Sequence, residues 1–182
     1  MMDDQAVAYY LKGLKLAEKY KKKYFTAFLL NNLGLLKYEN KQYHAAREDL
    51  ERGLILAKEE EEWRLVGNLL NNLGLVNRQL KDYASSVKHY KETVKLTKRL
   101  GFPFGISAAY INLGDAYKLN GQYEEAMACE DLAITLLKTF DNLEYLQVAY
   151  LAKAMISIEM KDARKAKMYA DSVDYYLDLQ HV

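Results

Sequence analysis

The segment LLNNLGLL at residues 29–36 returns as LLNNLGLV at residues 69–76, forty positions later. The offset is general along the chain. Asn32-Leu33-Gly34, Asn72-Leu73-Gly74 and Asn112-Leu113-Gly114 share one register, and Tyr43, Tyr83 and Tyr123 follow them at a fixed distance. Repeats of this length are single supersecondary units that cannot bury an apolar face alone, so they stack on their neighbours around one continuous core.

The units read as helix pairs. One proline and nine glycines in 182 residues leave little material for turns between strands. Apolar residues instead recur at three- and four-residue steps, as at Leu50, Leu54 and Ala57 or at Val87, Tyr90 and Val94, the period of an amphipathic helix. The fold class is therefore all-α. After each tyrosine a second helix is expected, YHAAREDLERGLILAKE, YASSVKHYKETVKLTKR and YEEAMACEDLAITLLKT, with Ala46, Ser86 and Ala126 at matching places. The register divides a single repeat domain, 1–182, into a lone second helix at 3–26, full repeats at 27–66, 67–106 and 107–146, and a diverged last repeat at 147–182. In that last copy Leu151-Ala152-Lys153-Ala154 stands where Asn-Leu-Gly would be, and Ala163 and Ala166 replace the tyrosine and the small residue.

Glycine inside a helix costs roughly 1 kcal/mol relative to alanine. Its recurrence at Gly34, Gly74 and Gly114 predicts a close helix approach there, with Ala46, Ser86, Ala126 and Ala166 supplying the facing small surface. The polar stretches ENKQ, LKD, LNGQ and EMKD predict tight turns within the pairs. Asp82 and Asp162 are expected N-caps of second helices, and Asp141 with Glu144 has the spacing of a capping box. Gly101-Phe102-Pro103 is the clearest break between units. Nothing in Glu59-Glu60-Glu61-Glu62 breaks a helix, and only the register places a turn there.

This pattern resembles the tetratricopeptide repeat family, on Leu33-Gly34, Leu73-Gly74, Leu113-Gly114, the small residues Ala46, Ala126, Ala166 and Ala133, and the first-helix aromatic Tyr117. The period is forty rather than thirty-four and no proline closes the units, so the helices should be about a turn longer. That is similar to the long-repeat branch, which includes kinesin light chains, scaffolds of spindle orientation and bacterial receptors for peptide pheromones. The resemblance implies a right-handed superhelical solenoid of antiparallel helix pairs, with first helices lining the concave side.

In that arrangement Leu30, Leu33, Gly34 and Lys37 share the packing face, and Phe28, Asn31, Asn32, Leu35, Tyr38 and Glu39 should look into the groove. The equivalents are Asn68, Asn71, Asn72, Leu75, Arg78 and Gln79, then Ala108, Ile111, Asn112, Asp115, Lys118 and Leu119. Asparagine competes for backbone hydrogen bonds, so its return at one mid-helix position needs a compensating gain. Two gains are open. The amides of Asn32, Asn72 and Asn112 can pair with the N–H and C=O of an extended peptide, as the family resemblance also implies, or they can bond to neighbouring helices and fix the stacking. Under the first, these three with Asn68, Asn71, Arg78, Asp115 and Lys118 form a peptide-binding site. Arg78 and Lys118 would face an acidic group on the ligand, which Asp115 would oppose. Rungs about 8–10 Å apart meet roughly every third residue of an extended chain, which suits a peptide of about six to eight residues.

The net charge of +1 offers no large basic surface to a nucleic-acid backbone. No signal peptide and no membrane-crossing apolar run is recognisable, and the single Cys129 suits a reducing compartment, so a soluble, cytoplasmic protein is expected. His44, His89 and His181 lie far apart in the register and read as surface residues, not as metal ligands. No nucleophile-with-base pattern, phosphate loop or cofactor motif emerges, so neither catalysis nor a cofactor is expected. The lone leading helix and the tyrosine- and leucine-rich MYADSVDYYLDLQHV leave two readings of the ends: a piece of a longer regulator, or ends that associate with other copies. The expected function is a protein- or peptide-binding scaffold or sensor domain, with structural self-association into a homo-oligomer as the alternative.

Overall fold

One turn recurs at most of the joints between the described helices. The computed structural model describes residues 4–101, 103–140 and 142–179, and all regular elements among them are helical. In order they are α1 (Asp4–Lys19), α2 (Lys23–Glu39), α3 (Tyr43–Glu59), α4 (Trp63–Gln79), α5 (Tyr83–Leu100), α6 (Pro103–Leu119), α7 (Tyr123–Leu137), α8 (Leu143–Glu159) and α9 (Ala163–Leu179). One turn of 3-10 helix, Lys138–Phe140, prolongs α7. The all-α, helix-pair organisation expected from the register is present, and α2, α4, α6 and α8 open forty residues apart, four residues before the sequence boundaries at 27, 67, 107 and 147. No helix among the described residues is long and apolar enough to cross a membrane.

The turn after α2 shows the geometry. Lys41 takes a left-handed backbone (φ 60°). Its N–H donates to the Tyr38 carbonyl at 2.9 Å, and the Gln42 N–H donates to the Lys37 carbonyl at 2.9 Å. These are the two bonds of a Schellman motif, which satisfy carbonyls left open at the helix end. Lys21, Glu61, Lys81, Gly101, Gly121 and Lys161 repeat the left-handed residue, so the joint recurs every twenty residues both within pairs and between them. The glutamate run, which carries no breaker, thus turns at Glu61 (φ 56°) by the same device. Residue 141 falls at the next such place, but Asp141 lies outside the described residues, as do Phe102 and His181. Asn142 caps α8, its side chain accepting from the Tyr145 N–H at 3.1 Å. Asp82 and Asp162 cap α5 and α9 as expected, through the N–H groups of Ser85 and Lys165.

The chain divides into two compact units, Met1–Leu96 and Thr97–Val182. In the first, Leu30, Leu50, Leu69 and Leu73 are fully buried. Removing such a side chain from water stabilises by about 1.5–3 kcal/mol. The close approach at the first-helix glycines is real, but its partner is mainly the residue four beyond the small one. A Cβ on Gly34 would lie 2.7 Å from Leu50 Cγ and 3.3 Å from the Ala46 carbonyl oxygen, and one on Gly74 only 2.5 Å from Tyr90 Cζ. Small Ala46 and Ser86 let the backbones meet, and Ser86 Oγ donates to the Gly74 carbonyl at 2.9 Å.

In the second unit the same position brings the Glu130 carboxylate against Gly114. Glu130 is fully buried, and neither of its oxygens has a hydrogen-bond partner. The register position of Leu33, Leu73 and Leu113 is Lys153 in the last repeat, buried with its ammonium paired to Asp131 and 4.2 Å from the Tyr169 ring centroid. Tyr150 stacks on Tyr176 with ring centroids 5.4 Å apart, which ties α9 to α8.

Candidate functional site

The first-helix face places the predicted residues along one line within each unit. On α2 and α4 of the first unit, Asn32, Asn71, Asn72, Leu75 and Arg78 are half-buried, and Phe28, Leu35, Glu39, Asn68 and Gln79 are exposed. Asn31 departs from the expectation, being buried at 8% exposure. The reason is a chain of amides between neighbouring helices: Asn72 Nδ2 donates to Asn31 Oδ1 at 3.0 Å, and Asn31 Nδ2 donates to Asn32 Oδ1 at 3.3 Å. About two turns further along, Gln79 Nε2 lies 3.4 Å from the Tyr38 hydroxyl, again forty-one residues away. The amides therefore do fix α4 against α2. Asn32 and Asn72 themselves stay half-buried. Beside them lies a small hollow of about 140 Å³ lined by Tyr10, Asn32, Leu35, Leu36 and Glu39.

In the second unit Asn112 and Asp115 are half-buried on α6, with Lys118 beside them. Lys118 Nζ pairs with Asp115 at 2.8 Å, so the two residues expected to act in opposition on a ligand neutralise each other. This ion pair, with side chains 15% and 28% exposed, leaves the Lys118 charge largely answered within its own helix. The Asn112 register position becomes Ala152 in α8, and the surrounding stripe is Val148, Leu151, Met155 and Ile158, all exposed. The polar face of the first unit thus has an apolar counterpart in the last repeat.

Two tetratricopeptide repeat models match the sequence, at residues 65–139 and 26–60, together more than half of the chain. The chain belongs to the tetratricopeptide repeat family. No curated protein matches it in sequence. Among solved structures, this tetratricopeptide repeat chain is similar to BtubC (BKLC) from P. vanneervenii, with 18% identity over 98% of this chain and 74% of that one and a TM-score of 0.89. The putative kinesin light chain repeats of Podosopora anserina share 15% identity over 97% and 88% of the two chains, with a TM-score of 0.85. Aspartyl phosphate phosphatase F from Bacillus subtilis shares 18% identity over 97% of this chain, at a TM-score of 0.81, but this chain spans only 46% of that protein. At such identities the likeness is one of fold.

Several side chains escaped the sequence reading. His89 is not an ordinary surface residue: it is half-buried, with Nδ1 3.1 Å from Asn77 Nδ2, and burial lowers its pKa. Lys37 Nζ and Asp49 occupy the same pair of register positions one repeat earlier, as an ion pair at 2.6 Å. Tyr117 and Cys129, both buried, take these positions one repeat later. A polar or bulky pair recurring with a spacing of twelve residues was a signal open to inspection. Burial pushes the Glu130 carboxyl up to about 9, with nearby Asp115 adding to the rise. For Lys153 burial works against the charge, but the bonds to Asp131 and Tyr169 hold the ammonium above the usual lysine value. Among the described residues no three His, Cys, Asp or Glu side chains come together as metal ligands.

Proposed function

We propose that this chain is a protein-binding scaffold or sensor segment, without catalysis or a cofactor of its own, that holds an extended segment of a partner along its first helices. Family membership supports the coarser half, since stacked repeats present extended surfaces to protein partners. The observation that carries the finer half is the row of half-buried amides at Asn32 and Asn72, linked through Asn31 and edged by an apolar hollow. An amide held by one hydrogen bond is oriented in advance, and its open donors and acceptors can meet a peptide backbone at little further entropic cost. Asn68, Asn71 and Arg78 lie on the same face of α4 and extend the row within the first unit. Such a segment fits a larger regulator, bacterial as the Bacillus subtilis phosphatase neighbour is, and a cytoplasmic setting. Self-association is the second reading, favoured by the exposed Val148, Leu151, Met155 and Ile158.

A displayed library of random heptapeptides tests the proposal. Selected binders should lose about tenfold in affinity on Asn72→Ala, the worth of one to two hydrogen bonds, while the melting temperature falls only by the loss of one half-buried bond. A large drop in melting temperature with unchanged binding would leave the amides a stacking role alone.

A further inference from the structure

The spacing of the first helices limits the conformation of any chain that crosses them. Bonds from Asn72 to Asn31 and from Gln79 to Tyr38 draw α4 against α2, which sets the two rungs at the usual helix separation of about 8–10 Å. A ligand lying across both must return side chains to the surface at that interval. In a β-strand one face recurs every second residue, at about 6.6 Å, and the third residue has turned to the opposite side. Polyproline II has three residues per turn and rises about 3.1 Å per residue, so every third residue comes back to the same face after about 9.3 Å. Of the two extended conformations, only polyproline II keeps step with the rungs.

The side chains on this face suit such a ligand. On α2, Tyr24 and Phe28 are 38% and 43% exposed and stack with ring centroids 6.4 Å apart, and Leu35, 37% exposed, follows about two turns later. The same register positions on α4 are Arg64, Asn68 and Leu75. Arg64 and Asn68 are exposed although α2 lies beside α4, so these positions stay open inside the array and not only at its first rung. The amides of Asn32 and Asn72 fall between Phe28 and Leu35 and between Asn68 and Leu75. Proline-rich chains are held by aromatic ledges and side-chain donors of this kind. A proline presents a rigid apolar ring and a carbonyl but no N–H, and polyproline II makes no internal hydrogen bonds, which leaves its carbonyls to be met by amides.

We infer that the partner of this face is a proline-rich protein segment in the polyproline II conformation, with an apolar residue at every third position, one over α2 and the next over α4. This rests on the groove reading above and adds the class of ligand to it. Because the conformation exists before binding, little ordering entropy is lost on contact.

The test measures fluorescence anisotropy with the full chain and three fluorescein-labelled peptides: Leu-Pro-Pro repeated in triplicate, the same residues reordered so that leucine falls at every second place, and Leu-Ser-Ser repeated in triplicate. The first should bind saturably and several-fold tighter than the other two, of which one keeps the proline content and the other the spacing. Phe28→Ala and Leu35→Lys should each weaken it by about tenfold, with melting curves close to wild type because both side chains are exposed. Ile55→Lys, at an exposed position on α3, should leave it unchanged. The inference falls if the Leu-Pro-Pro peptide does not saturate, if either control peptide binds as well, or if Phe28→Ala and Leu35→Lys have no effect. Should the chain still select random heptapeptides that are lost on Asn72→Ala, the groove reading stands and the ligand class alone is wrong; should that selection fail as well, both are wrong.

Discussion

The interiors of the two units answer the same register positions with opposite chemistry. Opposite the first-helix glycine, the first unit places Leu50 and Tyr90, and the second unit places Glu130, fully buried and without a hydrogen-bond partner on either oxygen. At the packing leucine of the first helix, Leu33 and Leu73 give way to Lys153 in the last repeat. A repeat fold tolerates this because each unit touches only its neighbours, so a locally costly side chain does not disturb the rest of the array. The lesson is that a shared backbone register constrains size and position while leaving polarity free to drift, at a cost confined to one joint.

The largest effect separating the units should come from Glu130. Its carboxyl stays protonated in the folded chain up to about pH 9, whereas in the unfolded chain it ionises near 4.5. Folding therefore holds a proton that unfolding releases, and stability falls as pH rises between those values, by about 1.4 kcal/mol per unit or roughly 3 kcal/mol by pH 7. Denaturant melts of the wild type and Glu130→Gln across this window should diverge with rising pH, the wild type losing ground. Parallel curves would show that the carboxyl is not withheld from water. Glu130→Leu, which copies Leu50, should stabilise the chain further at neutral pH.

Next in size are the close-approach glycines. A Cβ on Gly74 meets the Tyr90 ring at 2.5 Å, and a ring held between helices has nowhere to move, so Gly74→Ala should cost about 1–3 kcal/mol. On Gly114 the obstacle is the end of the Glu130 side chain, which can rotate away. Gly114→Ala should therefore cost clearly less, and equal losses in the two variants would contradict the asymmetry between the units.

The smallest effect concerns the joints. In the first unit the left-handed residues are Lys21, Lys41, Glu61 and Lys81, all with a Cβ, whereas the second has Gly101 and Gly121 beside Lys161. Side chains with a Cβ pay for that conformation, so Glu61→Gly should raise stability by about 0.5–1 kcal/mol and Gly121→Lys should lower it by a similar amount. Thermal melts of the two variants check the pair.

The helix pairs were legible because Leu-Gly, the following tyrosine and the small residue recur at one spacing, and periodicity survives substitution. The turn at Glu61 was placed by register alone, since its geometry comes from backbone hydrogen bonds that no residue type advertises. The asparagine face was half legible. Position along the helix follows from the repeat, but the bond from Asn72 to Asn31 depends on how two helices lie side by side. Glu130 was missed because a lone carboxylate on a helix reads as solvated, and only packing against Gly114 shows otherwise. The pairing of Lys118 with Asp115 follows from their three-residue separation and could have been read directly.

The left-handed joint every twenty residues carries one more implication. Since the bend inside a pair and the bend between pairs share the same hydrogen bonds, a gene duplication or deletion of forty codons starting at any joint rejoins the chain with its local geometry intact. Length in such a molecule is an adjustable quantity, and evolution can alter the number of rungs without redesigning a single corner.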